Sequence, residues 1–201
     1  MTRIALFHSV LGIRPGVLAA ADVFRGAGHE VEVVDQYEGR VFDDYAEAGE
    51  FVQTMGYPEL MASALRAVAN DAGPLVTAGF SNGAGLAGYV AAARGGPAGG
   101  VLGSLQFSGA LPLEMTGVER WPVGTPVQLH YAVHDPFRNE AWVSGFVRDV
   151  EASGSPIEAF LDYPIAGHLF TDASLPDEFD EASAALAFER ALVFLDHPPG
   201  R

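Results

Sequence analysis

Leu75-Val76-Thr77-Ala78-Gly79-Phe80-Ser81-Asn82-Gly83-Ala84-Gly85-Leu86 is the stretch on which the reading of this chain turns. An apolar run that ends in a serine between two glycines, followed by small residues able to open a helix, describes a sharp strand-to-helix turn. At such a turn the serine hydroxyl is pushed clear of the backbone. The next N–H and the helix N-terminus then aim at the same space. Gly79 and Gly83 are required because a side chain at either flank would collide with the neighbouring strand or helix, while the serine itself carries the backbone strain. The pattern predicts a nucleophile at Ser81.

Outward from this turn, apolar runs of strand length recur at Ile4 to His8, Val31 to Val34, Leu75 to Phe80, Val101 to Phe107, Val127 to Val133 and Ile157 to Leu161. Helix-like stretches lie between or after them, at Pro15 to Arg25, Pro58 to Asn70, Ala84 to Arg94, Glu140 to Ala152 and Glu178 to Leu195. Strands alternating with helices predict βαβ units, hence an α/β fold: a three-layer sandwich with a mainly parallel sheet of about six strands and helices on both faces. Joints such as Gly95-Gly96-Pro97, Gly124-Thr125-Pro126 and Gly154-Ser155-Pro156 fall where helices stop and strands start. Residues 36–56 mix aromatics with acids and read as a long loop with one short helix bordering a pocket, and residues 108–123 read similarly. No joint is long enough for an interdomain linker, so residues 1–201 are expected to form one domain.

Composition narrows the function. The chain has 26 acidic against 11 basic residues, a formal charge of -15, which repels nucleic acid and anionic membrane and favours a small-molecule partner. It has no cysteine, so disulfides, thiolate metal sites and thiol catalysis are excluded, and the nucleophile must be oxygen or nitrogen. The N-terminal residues read as a first strand instead of a secretion signal, and no run approaches bilayer-spanning length. A cytoplasmic protein, monomer or homodimer, is the expectation.

A serine hydroxyl is a weak nucleophile until a base takes its proton, and that base is oriented by a carboxylate. Asp135 lies just past the Val127 to Val133 run and His168 past the Ile157 to Leu161 run. Ser81, Asp135 and His168 therefore occur in the chain order of α/β-hydrolase triads, each after a strand C-terminal end on one rim of the sheet. Separately, each has a blander role: Asp135 before Pro136 suits a turn or helix cap, and His168 a loop histidine. His134 adjoins Asp135 and is expected to point away, His29 and His197 read as surface positions, and Asp162 is the second-choice acid. A metal held by His8, His134 and His168 finds no ligand spacing in its favour. The developing oxyanion needs two donors. The N–H of Asn82 is one, and the N–H of Val10, in His8-Ser9-Val10-Leu11-Gly12, is chosen as the second. Candidate pocket walls are His8, Ser9, Leu11, Tyr37, Phe107, Phe137 and Phe170, with Phe42, Tyr57 and Trp121 as further aromatic candidates.

The chain resembles the dienelactone hydrolase family of α/β-hydrolases. The resemblance rests on His8-Ser9-Val10-Leu11-Gly12-Ile13 after the first strand, on Gly79-Phe80-Ser81-Asn82-Gly83-Ala84-Gly85, and on Ala166-Gly167-His168-Leu169-Phe170. It implies strand order 2-1-3-4-5-6, a site between strands 1 and 3, and ester or lactone hydrolysis without a cofactor. Three positions depart from the family pattern: Ser81 stands for a cysteine nucleophile, Ser9 for an acid that contacts the thiol, and Asp172 near an expected substrate-holding arginine. The acid at that place and the overall charge disfavour a carboxylate-bearing lactone, so a neutral or cationic ester is expected.

Two rival readings accompany this one. A flavodoxin-like binding module shares the strand order and would use the Gly79 to Gly85 loop to cradle a phosphate, although no Lys follows the glycines. An acyltransferase would use the same three residues and pass the acyl group to an alcohol or amine.

Overall fold

The structure, a computed structural model, describes residues 1–69 and 73–197. Six parallel strands, β1 (Arg3–Phe7), β2 (Glu30–Val34), β3 (Leu75–Phe80), β4 (Val101–Phe107), β5 (Val127–Ala132) and β6 (Ile157–Tyr163), form one sheet in the order β2-β1-β3-β4-β5-β6. Six α-helices accompany them: α1 (Pro15–Gly26), α2 (Tyr45–Met55), α3 (Tyr57–Ala67), α4 (Asn82–Arg94), α5 (Glu140–Ala152) and α6 (Glu181–Asp196). Both the strand set and the order agree with expectation. The expected end of α3 at Asn70 lies outside the described residues.

Neighbouring residues of a strand point to opposite faces, and β4 shows which helices lie where. Gln106 lies against Gly88 of α4, whereas Phe107 packs on Phe188 of α6. Phe24 of α1 meets the same Phe188. On the Gln106 side, α3 packs on α4, and Phe146 of α5 approaches Gly88. Thus α1 and α6 cover one face and α3, α4 and α5 the other, giving three layers. Every residue of β3 is buried, as a central strand covered on both faces requires, while β6 at the edge is mostly half-buried or exposed.

On the α6 face, four registered positions carry rings: Phe80 opposite Phe107, Phe107 opposite His130, and His130 opposite Phe160. Their centroids are 5.0, 4.8 and 5.4 Å apart, and all three pairs are stacked. Arg190 of α6 closes the row, its guanidinium 4.0 Å from the Phe160 centroid. Such ring pairs are each worth about 0.5–1.5 kcal/mol beyond area burial. His130 belongs in this row because its polar edge is satisfied, by the Tyr163 hydroxyl at 2.8 Å and Gln128 Oε1 at 2.9 Å. Burial, aided by the Arg190 charge, pulls its pKa down to about 3, so the ring is neutral near pH 7.

One segment differs from the sequence reading. Residues 36–56 hold the 11-residue α2, more than the single short helix expected in a long loop. Asp44 caps it, accepting the Glu47 N–H at 2.9 Å, and Gly56 at φ 84° ends it and passes directly into α3. Together α2 and α3 stand beside the C-terminal rim of the sheet and wall one side of the cavity described next.

Candidate active site

Ser81 sits between the end of β3 and the start of α4 with φ 53° and ψ −118°, a conformation that L-residues adopt only under constraint. The constraint is visible at its flanks. A Cβ on Gly79 would lie 2.2 Å from Gly83 O, and one on Gly83 would lie 2.2 Å from His8 O. These two glycines serve close approach of backbone to backbone, so they offer no open cradle for a phosphate. A third glycine, Gly109 after β4, abuts the carbonyl of Ser81 itself.

From this turn the Ser81 hydroxyl reaches His168 Nε2 at 2.7 Å, across 87 residues of sequence. The other ring nitrogen, Nδ1, lies 2.8 Å from Asp135 Oδ2 and 2.9 Å from Oδ1. Both His168 and Asp135 are buried. Asp135 also accepts the Phe137 N–H at 2.8 Å, so the turn role that its sequence favours and the contact with His168 are made by one carboxylate. The His168 loop is fixed from two sides. Ser108, at φ 55°, donates its hydroxyl to the His168 carbonyl at 2.6 Å, and Glu178 accepts the N–H of Leu169 at 2.6 Å.

Val10 and Asn82 line the same cavity as Ser81 and His168. Neither of their N–H groups donates to an acceptor among the described residues, so both residues bring an unpaired amide to the lining of this cavity. The first loop, which carries Val10, is held in a tight turn: the Ser9 hydroxyl accepts the Leu11 N–H at 3.2 Å, and Gly12, at φ 85°, returns its N–H to Ser9 O. Ser9 is thus spent on loop shape.

The cavity measures about 480 Å³, within the range of small-molecule sites. Of the pocket-wall candidates from sequence, Phe137 and Tyr57 line it. The others are corrected by the structure. His8 bonds Ser9 O and the Gln36 N–H and stacks edge-on with Tyr37; Leu11 is buried in the hydrophobic core; Phe107 belongs to the ring row on the α6 face. Phe170 packs on Tyr163, Phe42 on Tyr37 and Phe51, and Trp121 on Phe146. Side chains that sequence reasoning missed take their place: Tyr45, Met61, Leu111, Met115, Tyr131 and Trp142. Tyr45, Leu111 and Met115 come from the two irregular stretches expected to border a pocket. Trp142 is betrayed by Asn139, whose side chain accepts the N–H groups of Ala141 and Trp142 and so starts α5 at the rim.

The remaining titratable candidates do not join the site. His134 and Asp162 are exposed, as is His197. His29, expected at the surface, is buried beneath the end of α6, its Nε2 3.8 Å from Asp196. Asp172, near the place of the expected arginine, is buried under the first turn of α1, bonded to the Ser174 N–H and hydroxyl and 3.9 Å from Arg14 Nε. A carboxylate is favoured at a helix N-terminus, which accounts for its turning away from the cavity. No group of three or more His, Asp or Glu able to hold a metal occurs among the described residues, nor a helix long and apolar enough to cross a membrane.

Comparison with known proteins agrees with this architecture. A family model described as the dienelactone hydrolase family matches residues 2–198. A dienelactone hydrolase-like promiscuous phosphotriesterase, P91, from metagenomic libraries is 16% identical, with a TM-score of 0.80 over 98% of this chain and 86% of its own. The mouse alpha/beta hydrolase domain-containing protein 10 is 16% identical, with a TM-score of 0.70 over 96% of this chain and 89% of its own. Esterase PE8 is 17% identical, with a TM-score of 0.63 over 97% and 91%. No curated protein matches in sequence. At these identities the three structures are alike in fold.

Proposed function

The chain belongs to the dienelactone hydrolase family, and from that premise we propose that it is a serine hydrolase cleaving a small carboxylic ester or lactone through an acyl-enzyme. The observation that carries the reading is the unbroken relay from Ser81 Oγ to His168 Nε2, and from Nδ1 to Asp135, beside two unused amides. In the first half-reaction Ser81 Oγ attacks the ester carbonyl carbon while its proton passes to His168 Nε2. The imidazolium so formed is held by Asp135, and the oxyanion by the N–H groups of Val10 and Asn82. Collapse breaks the bond to the alcohol oxygen, which takes the proton from Nε2. In the second half-reaction water gives a proton to the same nitrogen and attacks the acyl carbon. The acid leaves and the proton returns to Ser81.

A hydroxyl nucleophile suits this arrangement better than it suits a bare turn. Serine, unlike cysteine, has no appreciable anion of its own near pH 7 and depends on the base from the first step. The 2.7 Å contact supplies that base in the resting enzyme. Turnover of short 4-nitrophenyl esters with covalent labelling by a fluorophosphonate tests the assignment. The expected result is label on Ser81 and loss of both label and turnover in Ser81→Ala. Label on another residue, or full activity in Ser81→Ala, overturns it.

A further inference from the structure

The only exposed Phe, Tyr or Trp side chains among the described residues are Phe137 at 56%, Tyr57 at 52% and Trp142 at 42%, and all three line the one cavity that holds Ser81. Elsewhere the aromatic residues are buried or half-buried. Large exposed aliphatic side chains such as Leu18, Val123 and Val193 are scattered elsewhere, but exposed rings are gathered at this one place, and such a cluster marks a surface meant to be covered by a ligand. Met115, also exposed, stands at the same mouth, and Met61 and Leu111 line the walls.

Charge is missing from the same place. The chain carries 26 acidic and 11 basic residues, yet none of the side chains lining this cavity is an Asp, Glu, Lys or Arg. Its three tyrosines, Tyr45, Tyr57 and Tyr131, are neutral hydroxyls near pH 7, and burial pushes those of Tyr45 and Tyr131 still further from ionising. Asp172, the acid nearest in sequence to His168, is folded away under α1. A carboxylate brought here would lose its hydration without finding a cationic partner, and an ammonium would find no anion.

We propose, resting on the hydrolase reading above, that the substrate is an uncharged ester whose apolar, medium-chain acyl part is seated among Tyr57, Phe137, Trp142, Met61, Leu111 and Met115. This narrows the neutral or cationic ester of the sequence reading to the neutral one and sets the chain apart from hydrolysis of carboxylate-bearing lactones. The two thioethers adapt to ligands of differing outline, so selection acts on charge and apolar length more than on one shape.

The test compares 4-nitrophenyl acetate, butanoate and hexanoate with the mono-4-nitrophenyl ester of hexanedioate, which matches the hexanoate but ends in a carboxylate. For the neutral series kcat/KM is expected to rise about fourfold for each added methylene. The carboxylate twin is expected to fall at least a hundredfold below the hexanoate. Trp142→Ala should shrink the ratio of hexanoate to acetate about tenfold, and Met115→Arg should narrow the gap between hexanoate and its charged twin. A flat or falling series, or a charged twin cleaved as well as the hexanoate, overturns the proposal. Calorimetric binding of hexyl 4-nitrophenyl ether and its ω-carboxyl counterpart, which contain no bond to hydrolyse, separates this from the parent reading. Tenfold or greater preference for the neutral ether without any ester turnover would sink the hydrolase and keep the ligand class, whereas equal binding sinks the ligand class.

Discussion

The hydroxyl of Tyr45 on α2 donates to Glu178 Oε1 at 2.8 Å, and the other oxygen of that carboxylate takes the N–H of Leu169, one residue past His168. Tyr45 in turn faces the His168 ring at 6.1 Å and the Phe137 ring at 5.0 Å. One carboxylate thus ties the wall of the cavity to the loop carrying the imidazole. Glu178→Gln keeps the volume but presents an N–H₂ to one of two donors. It is expected to lower kcat about tenfold with KM within about twofold, and stability by about 1–2 kcal/mol. Steady-state kinetics beside urea denaturation checks it. A loss of stability with kcat unchanged would reduce Glu178 to a structural tie.

Ser81 holds φ 53° with a side chain in place, and the strain is separable from the chemistry. Ser81→Ala and Ser81→Gly should both lower kcat by roughly 10⁴-fold or more. Glycine accepts the conformation freely, however, while alanine keeps the strain, so the glycine variant should be the more stable of the two by about 1 kcal/mol. Chemical denaturation of the pair measures the difference, and equal midpoints would show that the turn imposes no such cost.

The strand and helix pattern was legible because β1, β3, β4 and β5 are buried along nearly their whole length and read as mainly apolar runs set off by Gly and Pro, while β2 and β6 at the edges have fewer apolar residues but are still bounded by such joints. Ser81, Asp135 and His168 were legible because each follows such a run, and side chains at one rim converge whatever the loops between them do. Strand order was not readable from periodicity; it came with the family resemblance. The length of α2 is hard to read because Gly49 and the mixed acids and aromatics hide its periodicity, although Asp44 and Glu47 form a capping pattern that marks its start. Pocket walls were the least legible. Phe107 and Gln106 differ by one position and face opposite layers, so an aromatic residue near the site in sequence has no fixed relation to the cavity.

Two glycines with opposite surroundings make a matched test of the packing argument. A Cβ at Gly83 would fall 2.2 Å from His8 O and 2.5 Å from Phe7 O, both backbone atoms of the β1 end that cannot swing aside. Gly83→Ala should therefore cost more than about 3 kcal/mol or prevent folding. Gly49, within α2, has nothing within 4 Å of its would-be Cβ, and Gly49→Ala should stabilise by about 0.5–1 kcal/mol through helix propensity. Denaturation midpoints decide both, and a tolerated Gly83→Ala would contradict the close approach of β1 and α4.

The ring row on the α6 face gives the fold a pH dependence with a defined sign. His130 has a pKa of about 3 in the folded chain against 6.5 for the free side chain, because burial and then the Arg190 charge oppose its protonation. Above pH 6.5 both folded and unfolded states hold it neutral, and it contributes its full packing. As pH falls below 6.5 the unfolded chain binds a proton that the folded chain refuses, so stability drops by about 1.4 kcal/mol for each unit until about pH 3. His8, whose pKa burial also lowers, acts in the same direction. Relief of repulsion among the many carboxylates opposes this trend in the wild type, so the informative quantity is a difference. His130→Phe keeps a ring between Phe107 and Phe160 but removes the proton site, at the cost of unpairing the Tyr163 hydroxyl and Gln128. The variant should be less stable than wild type at pH 7.5, and the gap should close by about 2 kcal/mol on going to pH 5. A gap that stays constant across urea titrations at the two pH values would mean that His130 takes up its proton inside the fold.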